Sequence, residues 1–301
     1  MKIGVAISNF ENDDSVIELV SRILEEKWSI EGIIIVDSFG KGKISQHIAA
    51  NTLANIAYHN FDENLGSAGN LRERLVLAAE KDWDYVLALN HDAMVQKSTL
   101  EALTSYVGME NIGALYPLKY FPKKDFYDYS GMKEVGPWRS FGPKIPPKNK
   151  LIPYKWSSSN GALYGLEPAR LGILPNKDLW MGWEDYLYGL DLLKGGYKQF
   201  VVTDAICEDN YEFEEKIFGG IKMQLSAKPS WYHYYRTRNL WLILCYHYPS
   251  PIRFLMIFSR TLLETIMIIL GWEKTNKIES LKLQMIGLLH GIQNKKGKKL
   301  D

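Results

Sequence analysis

Gly32-Ile-Ile-Ile-Val-Asp37 is an unbroken β-branched run that ends on an acid. A run with no polar residue on either alternating face suits a strand buried on both sides, as in a parallel sheet covered by helices. The flanking chain supplies the partners. Ile3 to Ser8 is a second apolar segment, and Ser15-Val-Ile-Glu18 predicts a capping box at the start of a helix. Val16, Val20, Ile23, Leu24 and Trp28 then recur at helical spacing. Beyond Asp37 the pattern predicts helix from Ile44 to Leu53, strand from Asn55 to His59, helix from Gly69 to Lys81, strand from Tyr85 to Leu89, helix from Ser98 to Val107 and strand from Ile112 to Tyr116. Alternation with short connections predicts an α/β fold with a mostly parallel central sheet. The ligand crevice of such a sheet lies beyond the carboxyl ends of its strands.

Periodicity fails between Tyr120 and Trp156, where Pro122, Pro137, Pro143, Pro146, Pro147 and Pro153 stand among lysines and aromatics. A loop of that length is usually functional or mobile. Order returns with the small-residue segment Ser157 to Gly165, a helix from Glu184 to Leu193 and a strand from Lys198 to Thr203. After Pro229 the character changes to three helices, Trp231 to Tyr248, Ile252 to Leu270 and Lys277 to Ile292. The boundary is therefore placed near 228, with residues 1–228 as the α/β domain and 229–301 as a helical appendage.

The 301 residues are 46% hydrophobic and 24% charged, which excludes disordered and low-complexity classes. Thirty-six Lys and Arg against 35 Asp and Glu leave no global field that would draw the chain to nucleic acid. Two cysteines, Cys207 and Cys245, cannot build a disulfide framework or a four-sulfur zinc site, and they fit a reducing cytoplasm. The opening MKIGVAISNF is too short in its apolar part for a secretory signal, so the chain is expected to stay where it is made. Aromatic residues reach 13% and crowd loops as well as apolar stripes after residue 115. Rings on loops suit sugar faces or a membrane interface, although core filling accounts for most of them.

Four strand ends are polar: Ser8-Asn9-Phe10, Asp37-Ser38, Asn64-Leu-Gly66-Ser-Ala-Gly-Asn70 and Asn90-His91-Asp92. Turn chemistry alone accounts for any one of them. Together they frame a nucleotide-sized crevice. Neither Gly-x-Gly-x-x-Gly after the first strand nor Gly-x4-Gly-Lys-Ser/Thr occurs, so phosphate must be neutralised without a glycine cradle. Asp92 can hold a hard divalent cation that bridges diphosphate oxygens.

These segments, with Ser158-Ser-Asn-Gly-Ala-Leu-Tyr164 and Trp183-Glu-Asp185, stand in the order and spacing of family 2 glycosyltransferases of the GT-A fold. The chain resembles most the rhamnosyltransferase and galactofuranosyltransferase branch, over roughly residues 3 to 240. The resemblance implies inverting transfer of a sugar from a nucleoside-diphosphate donor, UDP- or dTDP-linked, to an acceptor hydroxyl of a cell-surface glycan. It implies that Asp37 contacts the base, that Asn64 and Gly66 lie under the nucleoside, and that Asn90-His91-Asp92 stands for the family's Asp-x-Asp motif. With Asn90 in the first position, Asp92 remains the firm ligand for Mg or Mn. Ser8, Asn9 and Asn70 complete the expected donor site.

The resemblance further assigns the second acid of Trp183-Glu184-Asp185 as the base, and Glu184 to orienting the acceptor or its loop. Acids in a helix's first turn are also what the helix dipole favours. The family often supplies a further metal ligand, a His, about two dozen residues on; this chain has Asp209 there, with His233 as the rival. Trp180 and Trp183 are the expected stacking platform for an acceptor sugar, with core packing as their alternative.

In the tail, Arg253, Arg260 and Glu264 fall on one narrow face of an otherwise apolar helix, with Arg260 and Glu264 spaced to pair. The wide face can pack on the α/β domain, make a homo-oligomer contact or lie in a membrane interface. Lys295-Lys-Gly-Lys-Lys299 adds attraction to anionic lipid or is a solvated end. The reading favours the inner face of the cell membrane and a lipid-linked glycan acceptor. The rivals are a sugar nucleotidyltransferase, which would want a Gly-rich loop after the first strand, and a binding scaffold that has lost turnover.

Overall fold

A computed structural model describes residues 1–51, 55–128, 150–208, 213–218, 221–226, 229–270 and 276–300. They fall into two compact units, residues 1–128, 150–177 and 184–208 in the first, and residues 178–183 with 213–300 in the second. The second unit thus takes in residues 178–183 and the described residues between 213 and 226, which the sequence assigns to the α/β domain, besides the chain after 228.

The first unit runs β1 (Ile3–Phe10), α1 (Asp13–Glu25), β2 (Ile33–Ser38), α2 (Lys43–Ala50), β3 (Ile56–Phe61), α3 (Gly66–Ala79), β4 (Tyr85–Asn90), β5 (Met94–Val95), α4 (Lys97–Thr104), β6 (Ile112–Phe121), β7 (Phe126–Asp128), β8 (Leu151–Pro153), β9 (Ala162–Gly165), α5 (Glu167–Arg170), α6 (Glu184–Lys194) and β10 (Lys198–Glu208). One sheet orders them β3-β2-β1-β4-β9-β6-β10-β5, with β7 on β6 and β8 on β10. β3, β2, β1 and β4 are parallel neighbours, β9 runs antiparallel to both β4 and β6, and β6 is parallel to β10. Those six strands therefore point one way, and the sheet is mostly parallel as expected.

All six residues of β2 are buried, as its β-branched run requires. Ile7, Ile35 and Leu89 pack on one face with Val20 and Ile23 of α1, while Ala6, Val36 and Ala88 pack on the other with Leu71 and Leu75 of α3. Each fully buried aliphatic side chain contributes about 1.5–3 kcal/mol. The α1 start differs from the expected capping box. The helix begins at Asp13 behind Asn12, which makes no side-chain capping bond, so Ser15 lies inside it. Asp13 and Asp14 in the first turn favour this earlier start through the positive end of the helix.

In the second unit β11 (Phe213–Phe218) and β12 (Ile221–Ser226) form an antiparallel hairpin, followed by α7 (Ser230–Tyr246), α8 (Pro251–Ile269) and α9 (Lys277–Ile292). α9 presses on α7 at Gly287 and Gly291, where an added Cβ would lie 2.4 Å from Tyr234 O and 2.7 Å from Arg238 O. On α8 the acid of the charged stripe turns inward: buried Glu264 bonds His233 Nδ1 at 2.9 Å and lies 3.4 Å from Arg236 Nε. Ile252, Leu255, Phe258, Leu262, Ile266 and Ile269, at spacings of three and four, are exposed. No described helix is long and apolar enough to cross a membrane.

β1 can lie beneath Trp83 only because residue 4 lacks a side chain, since a Cβ there would stand 2.0 Å from the indole ring. Gly4→Ala should therefore lower unfolding stability by about 1–3 kcal/mol, the usual cost of overpacking. Urea denaturation measures it.

Candidate functional site

Parallel pairing sets the crevice floor. The register places Ser8 beside Asn90, and Asn9 beside Asp37, which in turn faces Asn60. Ser8 Oγ donates to Asn90 Oδ1 at 3.2 Å. Asn9 Nδ2 donates to Asp37 Oδ1 at 3.0 Å and to Asp13 Oδ1 at 2.7 Å, and Tyr58 OH donates to Asp37 Oδ2 at 2.8 Å. Asp37 is fully buried with both oxygens engaged by the protein, so it stiffens the floor. Burial, followed by Asp37's bond and charge, raises the Tyr58 phenol pKa above its ordinary range.

The Asn64 to Asn70 segment is not a loop throughout. Asn64 Oδ1 accepts from Gly66 N–H at 2.9 Å where α3 begins, and Asn70 lies within the helix and donates to Val36 O at 3.2 Å. Asn70 Oδ1 is buried without a partner among the described residues. His91 is partly exposed and Asp92 fully so, both on the turn that follows β4.

The proposed base connects to this floor through the small-residue segment before β9. Ser159 N–H donates to Asp185 Oδ1 at 3.2 Å, and the next side chain, Asn160, accepts from Asn90 N–H at 3.0 Å. Asp185 is thus tied through Ser159, Asn160 and Asn90 to Ser8. Burial first, then the negative charge of Glu184, push the Asp185 carboxyl from 3.8 up to about 7, against hydrogen bonds from Ser159 and the charge of Lys119. Glu184 is itself buried beside it in the first turn of α6.

Sequence reasoning gave no role to Ser159, Asn160, Lys119 or Arg74. Arg74 is buried in α3 and donates to Leu89 O at 3.0 Å and Ala6 O at 3.4 Å, gripping two strands beneath the floor. Desolvation lowers its pKa to about 10, so it stays charged at neutral pH. Nothing in Asn70-Leu-Arg-Glu-Arg74 separates this buried arginine from Arg72.

Trp180 and Trp183 lie in the second unit, where Trp180 packs on Tyr235 with ring centres 4.6 Å apart and Trp183 Nε1 donates to Arg236 O at 3.0 Å. Both are partly exposed. His233 is buried on α7, with its Nδ1 2.9 Å from Glu264 Oε1. Asp209 lies outside the described residues. Among the described residues no three His, Cys, Asp or Glu side chains group to hold a metal. The exposed carboxylate of Asp92 fits an ion that takes its remaining ligands from diphosphate and water, the habit of Mg.

The sequence matches no family model and no curated protein. Among solved structures the chain is similar to a mannosyltransferase of Pyrobaculum calidifontis in complex with GDP-Man and Mn2+, at 15% identity and TM-score 0.56, covering 99% of this chain and 76% of that one. S. aureus TarS 1-349 in complex with UDP-GlcNAc aligns at 14% identity and TM-score 0.61, covering 98% and 82%. GalNAc-T7 with UDP, GalNAc and Mn2+ aligns at 14% and 0.54, covering 73% of this chain and 44% of that chain. At such identities the likeness is one of fold. The fold is GT-A.

The raised Asp185 carboxyl has a consequence for stability. An acid whose pKa is higher folded than unfolded leaves the folded state at no disadvantage below about 4 and penalises it progressively as pH rises toward 7. Asp185→Asn should therefore be more stable than wild type at pH 8, by on the order of 1–4 kcal/mol, and indistinguishable from it near pH 4. Urea titrations at the two pH values give the comparison.

Proposed function

We propose that this chain is an inverting glycosyltransferase of the rhamnosyltransferase and galactofuranosyltransferase kind, moving a sugar from a UDP- or dTDP-sugar to a hydroxyl of a lipid-linked cell-surface glycan. The observation that carries the reading is the hydrogen-bonded path from Asp185 to Asn90 and Ser8. It joins a carboxyl group with a pKa near neutrality to the crevice where an α/β sheet takes nucleotides. The nucleotide sugars bound in the similar structures support the donor class.

In this reading the acceptor hydroxyl approaches the anomeric carbon opposite the diphosphate. Asp185 takes its proton as the new carbon–oxygen bond forms and the bond to diphosphate breaks. The electron pair leaves on the diphosphate, and the anomeric configuration inverts. Glu184 keeps the carboxyl's proton affinity high enough for this transfer at neutral pH. Asp92 would hold Mg or Mn, which neutralises the charge that develops on the diphosphate. Asn90, His91, Asn64, Gly66 and Asn70 face the nucleotide, with Ser8, Asn9 and Asp37 as the rigid floor beneath it. Trp180 and Trp183 carry the acceptor sugar.

The same reading places the protein on the cytoplasmic face of a membrane. The exposed apolar stripe of α8 and the exposed Lys295, Lys296, Lys298 and Lys299 are the elements that would meet an anionic bilayer. Cys207 is buried and Cys245 exposed, and the two are not joined in a disulfide.

Asp185→Asn should lower transfer by about 10²–10⁴-fold while leaving UDP binding intact, measured by product formation and by thermal shift with a panel of nucleotide sugars, with and without Mn. A binding scaffold would be indifferent to the change. Leu255→Glu with Leu262→Glu should abolish flotation with anionic liposomes. Unchanged flotation, or a dimer that the pair of substitutions dissolves, would move the stripe from membrane to self-association.

A further inference from the structure

Three of the six residues that lead into Glu184 and Asp185 are held in a backbone conformation that most side chains avoid. Trp180 has φ +56°, Gly182 +88° and Trp183 +66°, so three of four consecutive residues are left-handed and two of them are tryptophans. For bulky residues that region is a true outlier, each instance costing on the order of 1–3 kcal/mol, and it persists only when the surroundings impose it. Here the surroundings are two adjacent residues of α7. Asn239, with no exposed surface, directs its amide Nδ2 at three carbonyl oxygens of the segment, those of Leu179 (2.9 Å), Met181 (2.9 Å) and Gly182 (2.7 Å). Arg238, equally buried, donates to Leu179 O at 2.7 Å and orients Asn239 through Oδ1 at 2.8 Å.

The C-terminal residues close the clasp. Gly297 N–H donates to Asp178 O at 2.6 Å, Gly297 O accepts from Arg238 at 2.5 Å, and Lys296 pairs with Asp178 at 3.0 Å. The N–H groups of Lys299 and Leu300 both donate to Tyr235 OH, and the Tyr235 ring packs on Trp180. The common object of these contacts is the backbone of Asp178 to Trp183.

We propose that Arg238 and Asn239, locked by the segment from Lys296 to Leu300, are positioning residues that fix the strained Asp178–Trp183 segment, whose last residue precedes Glu184 and Asp185 in the chain. The lysine-rich end is then a structural strap whose backbone binds inside the second unit, with Lys296 paired to Asp178 and the side chains of Lys295, Lys298 and Lys299 exposed. The activity arm of the test rests on the transferase reading. The structural arm does not.

Asn239→Asp is nearly isosteric but turns an amide donor into a carboxylate facing three carbonyls. Gly297→Pro removes the N–H that reaches Asp178 and cannot adopt φ +74°, and it acts at the partly exposed strap, so it tests the idea should the buried change prevent folding. In full-length protein labelled with 5-fluorotryptophan, both variants should shift or broaden the ¹⁹F resonances of Trp180 and Trp183 and leave those of Trp28 and Trp83 in place. The kcat for transfer should fall at least tenfold, with UDP affinity within twofold, and Asn239→Gln, which keeps the donor, should recover part of the rate. Unmoved resonances in folded variants would overturn the clasp whatever transfer does. Moved resonances with an unchanged kcat would overturn its catalytic role. A wild-type protein that turns over no donor would instead remove the transferase reading, and the resonances would still decide whether the clasp holds the segment.

Discussion

Everything at the crevice depends on the register in which β1 lies between β2 and β4. A slip of β1 by one residue would turn Ile7 out of its core and separate Ser8 from Asn90 and Asn9 from Asp37. The second loss is the more severe. Asp37 has no exposed surface, and loss of the Asn9 donor would leave one oxygen of a buried carboxylate without its partner in low dielectric. The polar ends of the strands therefore specify the same alignment as the apolar middles. This agreement is what lets a site be built from residues so far apart in sequence.

Much of this was legible in the sequence. The β-branched run of β2, the alternation of elements and the order of polar strand ends are local patterns, and the sheet repeats them. Other features were not legible for identifiable reasons. The start of α1 was misread because Ser15 and Glu18 fit a capping box, while Asp13 and Asp14 could begin the helix two residues sooner. Arg74 carries no local mark that it is buried. The roles of Ser159 and Asn160 exist only once β9 is inserted antiparallel between β4 and β6, a pairing that no short window of sequence contains.

The helical region shows the limit of periodicity most plainly. Spacing correctly grouped Arg253, Arg260 and Glu264 apart from the apolar residues of α8, but a helical wheel does not say which side faces inward. The inward side is set by α7, where His233 and Arg236 receive Glu264. A polar residue at the centre of a helix pair then fixes the rotation of α8, and the long apolar stripe is left outside. Such a stripe is more costly in water than scattered apolar residues.

Residues 180 to 185 collect the chain's departures from local preference. Two tryptophans adopt left-handed backbone angles, and two acids stand side by side at the start of a helix with one of them pushed toward neutrality by burial. Each departure lowers stability and none is repaired within the segment. The repairs come from outside it, through Arg238 and Asn239 for the backbone and through Ser159 for the carboxylate. Strain that is local and support that is distant hold the segment in one arrangement, because a segment relaxed by its own contacts would be free to adopt several.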